Sequence, residues 1–217
     1  MTVPEPARFD EGIAKTIPRY TEIISDAVDY VLSCGTPMDW LDAGGGTGNL
    51  VKLASQRSPF SGFTIMDVSE EMLALAEEKL GSECRYVRAD VREPPFGEMT
   101  FDAITCIQCL HYLDEEGRRK ALTAFRRMLG PNGVLVYTEH VAPNTPHGYE
   151  SMRTVFREFL IGNGRTPEEA DVYLDRYGTE YFPLTVEQHL SLLRELGFSD
   201  VEMFWYSYGQ AGFAARR

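Results

Sequence analysis

The sequence predicts an α/β fold, in which a mostly parallel β-sheet is covered by helices on both faces. Short apolar runs with strand character alternate with longer segments whose apolar residues have helical spacing. A glycine-rich turn in the stretch WLDAGGGTGNL joins the first of these strands to the helix that follows it. Strands that alternate with helices build βαβ units, whose strands run parallel and are buried on both faces.

The elements follow in order. Five strands are predicted as short apolar runs: MDWLDAG, GFTIMDVS, CRYVRAD, FDAITCIQCLHYL and GVLVYTEH. Helices are predicted between them: TGNLVKLASQR, SEEMLALAEEKLG and EEGRRKALTAFRRMLG, the last ending at Gly130-Pro131. Ser69 is suited to cap the second helix, and Gly81 can end it.

The alternation stops after His140. Two amphipathic helices are predicted in YESMRTVFREFLIG and in TPEEADVYLDRYG, the second with a Thr cap followed by Pro. A further helix, TVEQHLSLLRELG, precedes a pair of strands in DVEMFWYSYGQAGFAARR, which suits a hairpin at the sheet edge. The two helices after His140 therefore form an insertion that covers the carboxyl ends of the strands, where open α/β sheets bind ligands.

The chain is predicted to form a single domain, residues 1–217. Its parts are N-terminal helices (1–36), a core (37–140), a lid insertion (about 141–183), and a C-terminal helix with a hairpin (184–217). With 217 residues and 43% hydrophobic content, it can bury one sizeable core.

Composition excludes several functions. A net charge of −12 disfavours binding to nucleic acid, and the basic cluster from Arg118 to Arg127 is interpreted as a solvated helix face. No apolar run reaches the roughly 18 residues of a membrane span, and MTVPEPARFDEG lacks the apolar core of an export signal. A cytoplasmic protein without a disulfide framework is therefore expected, since its four cysteines are few and scattered.

The glycine turn has the spacing Asp42-x-Gly44-x-Gly46-x-Gly48. It does not match a dinucleotide fingerprint, because the position of that motif's third glycine is held by Asn49. Glycines at this place let main-chain N–H groups approach a ligand at a helix N-terminus. The spacing therefore favours a different nucleotide-like ligand.

The motif Asp42-Ala-Gly44-Gly-Gly46-Thr-Gly48 resembles the first motif of class I S-adenosylmethionine-dependent methyltransferases. The resemblance covers nearly the whole chain. It implies a Rossmann-like fold with a seven-stranded sheet whose last strand is antiparallel. It also implies S-adenosyl-L-methionine as the cofactor and allows a homodimer.

The chain is also similar to one branch of this family, the carboxy-S-adenosylmethionine synthases. The segment TIPRYTEIIS resembles their N-terminal Pro-Gly-Tyr region, and HLSLLRELGFSDVEMFWYSYGQAGF resembles their C-terminal part. Two departures argue against carboxy-S-adenosylmethionine synthesis. Leu192 stands at the position of the arginine that holds the cofactor's carboxylate in that branch, with Arg194 on another helix face, and Ile107 replaces an asparagine of the fourth strand.

The resemblance implies a set of cofactor-binding residues: Tyr20, Asp42, Gly44, Gly46, Gly48, Asp67, Val68, Asp90 and Val91. Asp67 ends the second strand, where a carboxylate can accept the ribose hydroxyls. Asp90 suits the adenine amino group, and Val91 the face of the ring. Each has a simpler alternative: Asp67 as a helix cap, Asp90 as a turn residue, and Tyr20 as a core aromatic.

Three residues at the strand ends are candidate catalytic bases: His111, Glu139 and His140. Methyl transfer from a sulfonium needs alignment above all, and a hydroxyl acceptor would also need a base. Structural or surface roles remain open for all three and for His147, whereas His189 is interpreted as structural.

The pair Cys106-x-x-Cys109 could suggest a metal or redox site. The two side chains are expected on opposite faces of a strand, however, and no second Cys/His pair completes a zinc site. They are interpreted as buried small hydrophobic residues, and no metal is predicted.

The lid insertion is rich in aromatic residues: Tyr149, Phe156, Phe159, Tyr173, Tyr177, Tyr181 and Phe182. Such residues can close a dry pocket for a small acceptor or pack the lid onto the sheet. The sequence thus predicts a methyltransferase that acts on a small molecule by in-line transfer. Two alternatives remain open. One is intramolecular displacement within the cofactor, a cyclisation that releases methylthioadenosine. The other is cofactor binding without turnover.

Overall fold

Seven strands form one sheet in the computed structural model, which describes residues 9–217. They are β1 (Asp39–Ala43), β2 (Gly62–Asp67), β3 (Arg85–Arg88), β4 (Phe101–Ile107), β5 (Leu129–His140), β6 (Ser199–Ser207) and β7 (Gln210–Arg216). Their order across the sheet is β3-β2-β1-β4-β5-β7-β6. The first five strands run parallel, and β7 pairs antiparallel with both β5 and β6. The predicted seven-stranded, mostly parallel sheet with an antiparallel last strand is confirmed.

Eight helices surround the sheet in the described part of the chain: α1 (Phe9–Thr16), α2 (Tyr20–Ser33), α3 (Asn49–Arg57), α4 (Glu70–Leu80), α5 (Glu115–Met128), α6 (Pro146–Gly162), α7 (Pro167–Leu174) and α8 (Val186–Glu195). Local capping fixes several starts. The Ser69 hydroxyl accepts a hydrogen bond from the N–H of Met72, as predicted, and Thr166 forms a capping box ahead of Pro167.

Apolar side chains pack on both faces of the sheet, as expected for parallel strands. In β1, Leu41 belongs to the core under α5 and α8, while Trp40 belongs to the core under α2 and α3. The indole N–H of Trp40 donates to Thr105 Oγ1 at 3.1 Å, so this buried polar group is satisfied. This hydrogen bond joins β1 to β4, its neighbour in the sheet.

The predicted fourth strand, FDAITCIQCLHYL, is too long. β4 ends at Ile107 because Gln108 adopts a left-handed backbone conformation with φ 54°, and a short 3-10 turn follows at Leu110–Tyr112. The predicted opposite orientation of Cys106 and Cys109 is wrong for the same reason. The strand alternation is broken between them, and both side chains pack against the same core.

The boundary between α5 and β5 also differs from the prediction. The helix ends at Met128, and β5 begins at Leu129 rather than at Gly133. Leu129 is buried and pairs with Phe101, so the strand gains both packing and a partner before Pro131. Proline is tolerated near the start of a strand, where it interrupts little of the hydrogen-bond ladder.

Helices α6 and α7 form the predicted helical insertion, and their apolar faces share a core of their own. Its buried members are Phe156, Leu160, Ala170, Tyr173, Leu174 and Tyr181. The chain then returns to the sheet: the N–H of Ala142 donates to the carbonyl of Leu184, and the N–H of Phe182 donates to the carbonyl of His111. The insertion therefore lies over the carboxyl ends of β4 and β5. Among residues 9–217, no helix combines the length and apolarity that a membrane crossing requires.

Candidate active site

The glycine loop (Gly44–Gly48) connects β1 to α3 through left-handed backbone. Gly44, Gly46 and Gly48 have φ values of 70°, 54° and 75°. A Cβ on Gly44 would lie 2.5 Å from the sulfur of Cys109, and one on Gly48 would lie 2.7 Å from Leu80. A Cβ on Gly46 would meet nothing within 4 Å. Two of the glycines thus serve packing, while Gly46 faces open space in which a ligand could lie.

Asp67, the last residue of β2, is aimed at the glycine loop. Its Oδ2 accepts the N–H of Gly46 at 3.0 Å, and its Oδ1 accepts the N–H of Ser69 at 2.9 Å. Ser69 itself caps α4, so Asp67 does not act as the helix cap. Each carboxylate oxygen retains lone-pair capacity, which leaves Asp67 able to accept further hydroxyl donors.

Asp42 and Tyr20 lie next to the glycine loop. Burial raises the pKa of Asp42 to about 7, although the hydrogen bond from Thr105 Oγ1 opposes this and Asp67 adds to it. Burial likewise raises the pKa of Tyr20 to about 12, so its hydroxyl stays protonated. Arg19, the residue before Tyr20, has a φ of 56°. The Pro-Gly-Tyr region of the carboxy-S-adenosylmethionine synthases has its glycine at this position.

A small cavity of about 50 Å³ opens between these residues and is lined by Phe9, Tyr20, Ile24, Asp42, Gly44, Gly45, Gly46, Thr47, Asn49, Leu50 and Ile107. It is far smaller than the roughly 300–1,000 Å³ of typical ligand sites. A nucleoside-sized ligand must therefore extend beyond it, past Asp67, or displace part of its wall. Phe9, from α1, is one such wall.

Helix α1 is fastened to the glycine loop by an ionic contact that sequence reasoning missed. Asp10 Oδ1 accepts from Thr47 Oγ1 at 2.6 Å and from Asn49 Nδ2 at 2.8 Å. Lys79 Nζ lies 2.6 Å from Asp10 Oδ2 and donates to Asn49 Oδ1 at 2.7 Å. Asp10, the Thr47–Asn49 segment and Lys79 are far apart in the chain, and no sequence motif indicates that they meet.

The other proposed cofactor contacts lie outside the small cavity. Asp90 forms a two-pronged ion pair with Arg92, whose hydrogen bonds hold the pKa of that carboxyl below its usual value. Val91 is buried in the core, and Val68 is 56% exposed. They follow β3 and β2 at the same sheet edge as Asp67, where an extended ligand would pass.

The structure brings the three candidate bases together. His111 lies in the 3-10 turn after β4, and Glu139 and His140 are the last two residues of β5. His111 Nδ1 is 3.5 Å from Glu139 Oε2, and the rings of His111 and His140 are 4.6 Å apart. All three side chains are buried.

Burial sets the protonation of this group. It raises the pKa of Glu139 to about 8, partly offset by the charge of Arg118 and by main-chain N–H groups including that of Leu110. It lowers the pKa of His111 to about 3, helped by the positive charges of Arg118 and Arg176. At neutral pH, Glu139 is therefore a carboxylic acid and His111 a neutral imidazole.

His140 is held by the lid. Its Nδ1 lies 2.8 Å from the hydroxyl of Tyr177 and its Nε2 3.4 Å from that of Tyr173. Burial puts the pKa of His140 well below its usual value. His147, by contrast, lies in the first turn of α6, and His189 is buried against Tyr137, which agrees with a structural role.

A large cavity of about 610 Å³ lies between α5 and the lid insertion, and it is lined by Asp114, Glu115, Arg118, Ala142, Tyr149, Tyr177, Gly178, Phe182, Pro183 and Leu184. Arg118 was expected on a solvated face, and that is wrong for this residue, which is 1% exposed. Helical geometry turns Arg118 inward while Lys120 faces solvent. Within residues 9–217, no cluster of three or more His, Cys, Asp or Glu side chains is placed to hold a metal ion.

Comparison with known proteins identifies the family. Residues 41–133 match a family model described as a methyltransferase domain. The chain is 34% identical over 193 residues to the demethylmenaquinone methyltransferase of Thermotoga maritima, covering 80% of this chain and 82% of the relative. It is 23% identical over 212 residues to the carboxy-S-adenosyl-L-methionine synthase of Trichodesmium erythraeum, covering 95% and 84%.

The fold is shared with human N-acetylserotonin methyltransferase, whose crystal structure contains S-adenosylmethionine. The TM-score is 0.62 at 17% identity, and the match covers 97% of this chain but 58% of the human protein. The fold and the glycine loop define a Rossmann-like nucleotide-binding enzyme. The chain belongs to the class I S-adenosylmethionine-dependent methyltransferases, and its cofactor is S-adenosyl-L-methionine.

Proposed function

We propose that this enzyme transfers a methyl group in line from S-adenosyl-L-methionine to a small-molecule acceptor. The observation that carries the proposal is that residues in contact with the buried pair His111 and Glu139 reach towards both cavities. On one side, Leu110 donates its N–H to Glu139 Oε1 at 2.9 Å, next to Cys109, which packs on Gly44. On the other side, the carbonyl of His111 accepts the N–H of Phe182, which lines the large cavity.

The residues at the glycine loop fit the cofactor. We assign the amino-acid part of the ligand to the loop, where Gly46 faces open space and Asp42 and Tyr20 supply polar atoms. Asp67 would accept the ribose hydroxyls with its remaining lone pairs. Asp90, Val68 and Val91 would then meet the adenine farther along the sheet edge, and Gly44 and Gly48 keep the loop tight enough to allow this.

The bound cofactor supplies an electrophilic methyl group on a sulfonium. The protein's part is to align the acceptor and to keep water out. Tyr177 and Tyr181 of the lid insertion, with Tyr112 beside them, cover the ends of β4 and β5. The face of Tyr181 already packs against the guanidinium of Arg176, 4.3 Å from the ring centroid, so this ring serves as part of the cover.

The buried pair sets what happens to the acceptor's proton. An amine attacks with its own lone pair, whereas a hydroxyl must lose a proton during or after attack. Glu139 can take up such a proton only in its carboxylate form, which dominates above pH 8. His140, fastened to Tyr177, positions the lid over the pair rather than exchanging protons itself.

The acceptor side favours a small molecule. The large cavity is the size of a metabolite site, and the chain's net charge of −12 opposes a nucleic-acid partner. By name, the Thermotoga maritima relative methylates demethylmenaquinone and the Trichodesmium erythraeum relative makes carboxy-S-adenosyl-L-methionine. The resemblance implies an arginine at the position of Leu192, which is buried in the core, so we favour methyl transfer over the second reaction. We further propose that the chain forms a single domain with the lid insertion at about residues 141–183. The protein would act in the cytoplasm as a homodimer.

Mass spectrometry of the purified enzyme with S-adenosylmethionine tests this function. Intact cofactor alone, converted to S-adenosylhomocysteine when pools of small metabolites are added, would support methyl transfer. Methylthioadenosine without any acceptor would contradict it and favour displacement within the cofactor. Cofactor binding that is abolished in Asp67→Ala, with no product under any condition, would favour a binding protein.

A further inference from the structure

We propose that the large cavity binds an organic monocarboxylate with an apolar body, and that Arg118 is the residue that pairs with its carboxylate. The site rests on the proposed function, because it assigns the chemical class of the acceptor. The proposal follows from the state of Arg118, from the walls of the cavity and from its connection to the buried pair.

Arg118 is a buried cation without a counter-ion. Its Nη2 donates to the carbonyl of Phe182 at 2.5 Å, while its Nε has no hydrogen-bond partner. In the described part of the chain, no carboxylate lies close enough to Arg118 to form an ion pair with it. Burying an unpaired guanidinium is costly, so a carboxylate that reached it would gain a charge-assisted hydrogen bond and relieve that cost.

The walls of the cavity specify the rest of the ligand. Tyr149, Phe182 and Leu184 supply aromatic and aliphatic surface, which suits an apolar body. Asp114 and Glu115 are exposed, so they lie at the solvent end, while Arg118 lies at the buried end. Two acidic groups at the entrance repel a dianion more strongly than a monoanion, so a ligand with a single carboxylate reaches Arg118 at lower cost.

Phe182 connects the large cavity to the buried pair of His111 and Glu139. Arg118 binds the carbonyl of Phe182, and the N–H of Phe182 donates to the carbonyl of His111 at 2.8 Å. A carboxylate held by Arg118 would therefore lie one lid residue away from the buried pair. This places an acceptor, rather than a distant effector, in the large cavity.

Two probes of the same shape test the charge requirement: phenylacetate and its neutral amide, phenylacetamide. Calorimetry with the full-length enzyme, without S-adenosylmethionine, should show phenylacetate binding about 10- to 100-fold more tightly, as expected for a hydrogen bond to a charged group. The variant Arg118→Gln should lose this preference. Arg119→Gln, at the next position and paired with exposed Glu195, should keep it.

Three results would overturn the site: equal affinity for the two probes, no saturable binding of phenylacetate up to about 10 mM, or an unchanged preference in folded Arg118→Gln. If that variant does not fold, Tyr149→Trp replaces it, since a larger ring in the wall should weaken phenylacetate. Affinity that Tyr149→Trp leaves unchanged would equally overturn the site.

S-adenosylhomocysteine binding, measured on the same samples, separates the two proposals. Wild type that binds S-adenosylhomocysteine but not phenylacetate would overturn only the carboxylate site. Selective phenylacetate binding in an enzyme that never methylates any acceptor would support the site and overturn the proposed function.

Discussion

His111 Nδ1 lies 3.5 Å from Glu139 Oε2, and neither atom has another hydrogen-bond partner among the described residues. The distance is at the outer limit for a hydrogen bond, so the pair is only loosely coupled. Burial keeps Glu139 protonated and His111 neutral, which avoids placing a full ion pair in the core. A site of this kind can change its charge state when the lid or the pH changes.

The pH dependence of stability should report the protonation of Glu139. Its pKa rises from an ordinary 4.5 to about 8 in the folded protein, so the folded state binds more protons than the unfolded state between these values. The resulting stabilisation is complete below about pH 4.5 and is lost as the pH rises through 8. Glu139→Gln should therefore lose less Tm than wild type between pH 5 and pH 9, as measured by differential scanning fluorimetry.

Glu98→Gln is the control for that experiment because Glu98 is exposed. Its Tm profile should parallel that of wild type. A Glu139→Gln profile that also parallels wild type would show that Glu139 is ionised at neutral pH.

Cofactor affinity should depend on Asp67. Both of its oxygens already accept main-chain N–H groups, from Gly46 and Ser69, and asparagine has only one acceptor oxygen for these roles. Asp67→Asn should weaken S-adenosylmethionine binding by about 10- to 100-fold, the loss expected for hydrogen bonds to a charged group. Calorimetry measures this directly. Asp26→Asn, on the exposed face of α2, should bind as wild type does, and equal affinities in the two variants would remove Asp67 from the site.

The sequence predicts local features well where one residue's conformation decides them. The glycine loop and the Ser69 cap depend on backbone freedom and on a single side chain, so their residue types reveal them. Gln108 is the counterexample. The residue type of Gln108 does not indicate a left-handed conformation. This conformation ends β4 earlier than predicted and brings the side chains of Cys106 and Cys109 to the same core.

The candidate site shows the same division between local and distant information. His111, Glu139 and His140 could be predicted to meet, because parallel strands carry their carboxyl ends to one edge. Arg118 could not be placed in the site, since its burial depends on the return of Phe182 from the lid insertion, 64 residues later. Asp10 was missed for a similar reason: its partners come from two other helices and the glycine loop.

Helix α1 should control access to the small cavity through Asp10. This carboxylate accepts from Thr47 and Asn49 and pairs with Lys79, so it fastens the helix to the glycine loop. Asp10→Asn should speed hydrogen exchange in residues 9–16 and change the rate of S-adenosylmethionine association, measured by stopped-flow fluorescence. If S-adenosylmethionine associates faster with Asp10→Asn than with wild type, α1 must open for the ligand to enter. If the ligand dissociates more slowly from wild type than from Asp10→Asn, α1 retains the bound ligand.

Glu11→Gln is the matched control because Glu11 is exposed on the same helix. Exchange and association should remain at wild-type values in this variant. Unchanged exchange in Asp10→Asn as well would show that α1 is held by its apolar contacts alone.

Gly44 and Gly46 should respond differently to alanine because their surroundings differ. Both residues have positive φ, so each substitution costs about 1–2 kcal/mol of backbone strain. A Cβ on Gly44 also lies 2.5 Å from the Cys109 sulfur, whereas one on Gly46 meets no atom within 4 Å. Gly44→Ala should therefore lower stability to urea more than Gly46→Ala does. Adding Cys109→Ala should restore part of the loss in Gly44→Ala and none in Gly46→Ala, because it removes the sulfur but not the strain. Equal losses in the two single variants would mean that the loop shifts freely away from the end of β4. Such a loop could not hold a cofactor in fixed register with His111 and Glu139.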